Sequence, residues 1–226
     1  ADAAAGLGSP SLDTTDSAGI VRRVPLLWSD GTSLYPSLAV ETLRLALGVQ
    51  TMVALGDTRD QGTLEDLKIG QFSVPTTAEG SLVLYDRQPD PAEVISATRI
   101  LGDDYHALAD QMSGRIVLVG TSASGLLDIH ATPLSPAIAG VRIHAEVIDQ
   151  IVSQSFLSRA DWVQGLELLA FILAGILLVV VVLRLGPLAG LLLAALLIAG
   201  MIGGAYAGFA LEGWLLDATF PVFGAL

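Results

Sequence analysis

Two long uncharged runs toward the end of the chain limit its folds more than any other feature. Leu168 to Leu183, LLAFILAGILLVVVVL, is 16 residues without a charge, and Leu185 to Leu211 is 27. With Glu167 at headgroup level, the first run extends back to Trp162. A helix rises about 1.5 Å per residue, so roughly 20 apolar residues cross a hydrocarbon core, and both runs reach that length. A helical hairpin buried in a soluble protein would keep a polar stripe, and neither run has one. The sequence therefore predicts two transmembrane helices, over 162–184 and 185–211, lying in a lipid bilayer. Arg184, in the turn between them, is the sole basic residue of this portion. The positive-inside rule puts that turn in the cytoplasm, with Trp162 and Trp214 at the opposite interface. Residues 215–226, LLDATFPVFGAL, are too short to cross and read as the start of a third membrane helix.

The same division explains a composition that is 52% hydrophobic yet has a formal charge of −12. Residues 1–161 hold 10 of the Arg/Lys and 20 of the Asp/Glu, so the acid belongs to a domain ahead of the spans, on the outer side. Lys68 is the single lysine, which leaves no basic surface for nucleic acid. The absence of cysteine excludes disulfides, thiolate metal sites and a cysteine nucleophile, and suits an oxidising compartment. No charged segment followed by an apolar one opens the sequence, so any signal or anchor is expected ahead of Ala1.

Within 1–161, Ile20 to Trp28 and Thr32 to Tyr35 flank an Asp30-Gly31 turn and predict a β-hairpin. Pro36 to Leu47 predicts a helix closed by Gly48. Gln71 to Pro75 and Ser81 to Tyr85 read as a second hairpin-like pair, and Ala92 to Leu101 as a short helix. Arg115 to Gly120, RIVLVG, is apolar on both faces, as in a strand buried inside a parallel sheet. Gly140 to Ser153 predicts a helix with Val141, Ala145, Ile148 and Val152 on one face. The order of strand, loop and helix argues for a layered α/β domain.

Four stretches in this order resemble the CHASE domain of the second type, an extracytoplasmic sensor of bacterial membrane signalling proteins. They are AGIVRRVPLL (18–27), LYPSLAVETLRLALG (34–48), GRIVLVGTSASGLLDIHATPLS (114–135) and AGVRIHAEVIDQIVSQSFLSRADW (139–162), with the apolar spans following. The resemblance implies a sensor outside the bacterial inner membrane, with its main domain periplasmic. It also implies an unidentified periplasmic ligand and a cytoplasmic effector, a cyclase or kinase, reached through the spans.

The loop Gly120 to Gly125 follows the RIVLVG run, where α/β domains bind ligands at a strand's carboxyl end. Thr121, Ser122 and Ser124 supply hydroxyls for a ligand; the alternative is a turn that only packs. The pattern is neither a P-loop nor a nucleophile elbow. Asp128 and His144 are the other ligand-binding candidates, with a His144–Asp128 hydrogen bond as a structural latch. Their spacing with His130 and Glu146 does not form a metal set, and no cofactor or catalytic group is expected. Arg22 and Arg23, adjacent on a strand, point to opposite faces. In the second span Gly200, Gly204 and Gly208 form a small-residue stripe for close helix packing. Its partner is the first span, or self-association, or another membrane protein. The expected function is a sensor module, and the alternative is a structural or docking subunit of a membrane assembly.

Overall fold

The computed structural model describes residues 4–12, 19–56, 63–87, 93–102, 105–123, 128–157 and 161–215. The chain divides into two compact units, Ala1–Phe156 and Leu157–Leu226.

The first unit is a mixed α/β domain. Its strands form four small sheets, and every ladder among the described strands is antiparallel. β1 (Arg23–Pro25) pairs with β7 (Ser81–Val83), and β2 (Leu27–Ser29) pairs with β3 (Leu34–Pro36) as the expected hairpin. Asp30 organises that turn: its carboxylate accepts from the backbone of Thr32 and Ser33 and from the hydroxyls of Thr32 and Tyr35. β4 (Met52–Gly56), β5 (Leu64–Ile69) and β6 (Phe72–Pro75) form a meander. The segments expected to pair with each other, β6 and β7, instead pair with β5 and β1 respectively. The two-residue Gly70-Gln71 turn claims β6 for β5, because Ile69 faces Phe72 directly. β8 (Ile129–His130) and β9 (Ile138–Ala139) close the set.

Helix α1 (Leu38–Ala46) starts at Ser37, whose hydroxyl accepts from Val40 N. It ends where Gly48 takes a left-handed φ of +67°, as the sequence predicts. α2 (Ala97–Ile100) is shorter than expected, and α3 (Tyr105–Met112) is an addition. α4 (Gly140–Val152) packs on α1, β6 and β9. The buried face of α4 is Ile143, Val147 and Ile151 with Ile148, not the Val141–Ala145–Val152 stripe; Ala145 and Val152 are exposed. These side chains meet Val21, Val24, Leu26, Val40, Leu43, Leu67 and Leu82 in one core, and each buried aliphatic contributes roughly 1.5–3 kcal/mol. Gln150, also buried, spreads its amide over β7: Nε2 donates to Val83 O at 2.9 Å and Oε1 accepts from Tyr85 N at 3.1 Å. Those two bonds fasten α4 to the strand's end as a neighbouring strand would.

RIVLVG departs from expectation. Residues 116–120 form no strand, because a strand exists only beside a neighbour and none of the described segments lies in register with it.

The second unit is a pair of helices, α5 (Asp161–Leu185) and α6 (Pro187–Glu212), packed on each other. Gly165–Leu185 and Pro187–Leu211 have mean hydropathy 3.0 and 2.3, and only 0% and 6% of their most apolar windows are buried within the protein. Core helices of soluble proteins are mostly buried, so these are candidate membrane spans. Ala170, Ala174 and Leu178 lie on the half-buried face of α5, and Ala194, Met201, Ala205 and Gly208 on that of α6. The glycine stripe divides: Gly208 lies on this half-buried face, whereas Gly200 and Gly204 are exposed with no atom within 4 Å of where a Cβ would stand. The first span is therefore not the partner of Gly200 and Gly204. The third membrane helix expected over 215–226 falls almost wholly outside the described residues.

Candidate functional site

The residues singled out in the sequence converge on the first turns of α4. Gly140 N donates to Asp128 O at 3.0 Å, and a Cβ added at Gly140 would collide with the Asp128 carboxylate. Gly120, at the other end of the same loop, lies so close to Val141 that a Cβ there would collide with its side chain. Both ends of the 120–128 loop thus rest on the first two residues of one helix, and at 120, against the branched Val141 side chain, the close approach favours glycine. Thr121 and Ser122 are exposed just past Gly120; Ser124 lies outside the described residues.

The Asp128 carboxylate sits at the N-terminus of α4, where the helix dipole favours negative charge. The position an anionic ligand would take is therefore filled by the chain's own carboxylate. Asp128 Oδ1 also faces His130 Nε2 at 3.4 Å.

His144, one turn into α4, is 2% exposed. The expected latch to Asp128 is replaced by another: Nε2 bonds the carbonyl of Pro10 at 3.1 Å. A carbonyl only accepts, so Nε2 carries the hydrogen and Nδ1 is left as a buried acceptor without a partner among the described residues. Desolvation holds the imidazole below its usual pKa, against the opposing pull of the Pro10 bond and the Asp128 charge. His144 is accordingly neutral at pH 7. Its bond ties the segment around Ser9 and Pro10 to α4, beside the Ser9–Ser37 bridge that joins this segment to the start of α1.

One further cluster on α4 was not anticipated. The carboxylate of Glu146 is buried and makes no hydrogen bond among the described residues; Arg142 Nε stands 3.7 Å away, a loose ion pair. Burial, reinforced by the charge of Asp86, pushes Glu146 up to about 7 despite Arg142. Arg142 also faces Glu93 at 4.0 Å, and one turn on, Asp149 pairs with Arg87 at 2.9 Å. Arg142 and Glu146 are an i, i+4 pair, visible in the sequence, but its burial is not. The groups of three or more His, Cys, Asp or Glu that would hold a metal are absent among the described residues. An open groove of about 420 Å³, lined by Pro25, Leu27, Trp28, Leu34, Leu64 and Glu79, contains none of the residues singled out above.

A family model described as the CHASE2 domain matches residues 1–182. No curated protein and no solved structure matches the chain.

Proposed function

The chain belongs to the CHASE2 domain family, a family of extracellular sensor domains rather than catalysts, and from that premise we propose that it is the sensing module of a bacterial membrane signalling protein. In this reading α5 and α6 cross the inner membrane, the turn at Arg184–Pro187 is cytoplasmic, and the 1–156 unit stands in the periplasm. A ligand engages the exposed part of the 120–128 loop at the α4 N-terminus through Thr121, Ser122 and Ser124, with Asp128 and His144 behind it. A shift of α4 then passes along residues 153–160 to α5 and onward to a cytoplasmic effector, as a change in the population of two packings. The observation that carries the reading is the family match running into two apolar helices whose side chains are almost nowhere fully buried within the protein.

The chain's lack of cysteine makes the topology directly testable. Thr121→Cys should react with a membrane-impermeant maleimide in intact spheroplasts, and Leu185→Cys only after permeabilisation. The reverse pattern overturns the reading.

A second reading, a docking subunit of a membrane assembly, draws support from the open space over Gly200 and Gly204. The reading frame downstream of Leu226 separates the two. A cyclase or kinase domain there supports sensing, and its absence supports docking.

A further inference from the structure

The chain leaves the core at the end of β7 and is then fastened to α4 and its neighbours by polar contacts. Leu84 is the last side chain of this stretch in the core, and its N–H donates to Arg22 O at 2.9 Å. Beyond it Tyr85 N donates to Gln150 Oε1 at 3.1 Å, Asp86 Oδ2 accepts from Leu134 N at 2.7 Å, and Arg87 pairs with Asp149 at 2.9 Å. The Arg87–Asp149 pair is solvent-exposed and holds weakly. Tyr85–Arg87 is therefore a short strap drawn from the low end of local stability.

Arg142, Glu146, Asp149 and Gln150 are three or four residues apart in turn, so they share the face of α4 that carries this strap. Both Glu146 oxygens are buried without a hydrogen bond, and its ion-pair partner Arg142, 3.7 Å away, also reaches toward Glu93 at 4.0 Å. The charges acting on Glu146 are Arg142 on its own helix, Asp86 on the strap and Glu93 beyond it; α1, β6 and β9, which also pack on α4, supply none. Three carboxylates thus share one guanidinium. An ionised Glu146 gains from water and from distance to Asp86, and lifting the strap provides both. A protonated Glu146 gains from neither. We propose that Glu146 is a proton-operated catch for Tyr85–Arg87: the protonated side chain leaves the strap fastened to α4, and its ionisation releases it. Proton concentration around the first unit then sets how firmly α4 is held. The catch rests on contacts within the first unit; that protons are a stimulus for signalling rests also on the sensor reading above.

The test is amide hydrogen exchange on the full chain in detergent micelles, read as protection relative to the unfolded chain at each pH. The reporters are the Tyr85 and Leu134 amides, whose acceptors are Gln150 and Asp86. With the Glu146 carboxyl moved from 4.5 to about 7, their protection should fall about tenfold between pH 6 and pH 8. At pH 8 their exchange should not respond to about 1 M urea, as befits a local opening that exposes little surface. Glu146→Gln should hold the pH 8 protection at its pH 6 level. Arg87→Gln, which removes the Asp149 pair, should lower protection at both pH values and keep the difference between them. An equal fall in Glu146→Gln assigns the pH dependence to another group and sinks the catch. So does a fall that responds to urea as the β5–β6 amides do, which makes it global unfolding, and so does protection that stays level from pH 6 to pH 8 in the parent. None of these outcomes bears on the maleimide labelling at residues 121 and 185, so the catch can fail while the sensor reading stands.

Discussion

Glu146→Gln should stabilise the first unit at pH 8 and do little at pH 5. The carboxyl lies 13% exposed, with neither oxygen hydrogen-bonded, and its pKa rises from 4.5 to about 7. At about 1.36 kcal/mol per pKa unit, ionising it inside the fold costs up to about 3 kcal/mol. Below pH 4.5 the group is protonated in both folded and unfolded chains and the cost is absent. Between 4.5 and 7 the unfolded chain ionises first, so stability falls as pH rises. Above 7 both forms are ionised and the cost stays constant. Glutamine keeps the shape and removes the charge, but leaves Arg142 with less compensation at 3.7 Å. The net gain at pH 8 is then about 1–2 kcal/mol, or roughly 3–8 °C for a unit of this size. Thermal unfolding can be followed by Trp28 fluorescence in the full chain, with Trp162 and Trp214 replaced by phenylalanine so that the signal reports the first unit alone. The gap between variant and parent should widen steadily from pH 5 to pH 8. A gap that does not change with pH, or a variant less stable than its parent at pH 8, would refute the placement of a buried carboxylate held by only a loose ion pair.

Other consequences of the geometry can be checked with the same chain. His144→Ala removes the Pro10 tie and should cost roughly 1–3 kcal/mol in thermal unfolding. It should also flatten the acid limb of the stability curve, because an imidazole held below its usual pKa withdraws stability as pH falls through the unfolded value of 6.5; an unaltered limb removes His144 from that role. Ile143→Ala should cost about 2–5 kcal/mol, whereas Val152→Ala, on the exposed side of the same helix, should stay within about 0.5 kcal/mol; equal losses would reverse the face assigned to α4. Gly204→Leu should leave the α5–α6 hairpin intact, since nothing lies within 4 Å of the added group, and should shift the chain to a smaller species on a native gel. Unchanged mobility removes the glycine face from assembly.

How far the sequence carries the structure depends on whether each feature is local. The closing glycine at Gly48, the turn chemistry of Asp30, and two runs without a polar stripe are decided within a few residues, and the structure follows them, although Pro36 ends β3 and the helix starts two residues later behind a Ser37 cap. The phase of α4 is not local. Val141, Ala145, Ile148 and Val152 recur at helical spacing, but so do Ile143, Val147 and Ile151, and only packing against α1 and β6 selects the second set. The same holds for His144, whose partner is a carbonyl 134 residues away, and for Glu146, a surface-looking carboxylate whose burial depends on elements far along the chain. β6 and β7 looked like partners by proximity, yet a two-residue turn gave β6 to β5 and left β7 for β1. RIVLVG is the sharpest case. Its composition specifies a strand apolar on both faces, and in the structure only Leu118 packs against the core while Ile116, Val117 and Val119 are exposed. What composition cannot supply is the neighbouring strand, because a ladder is a property of two segments.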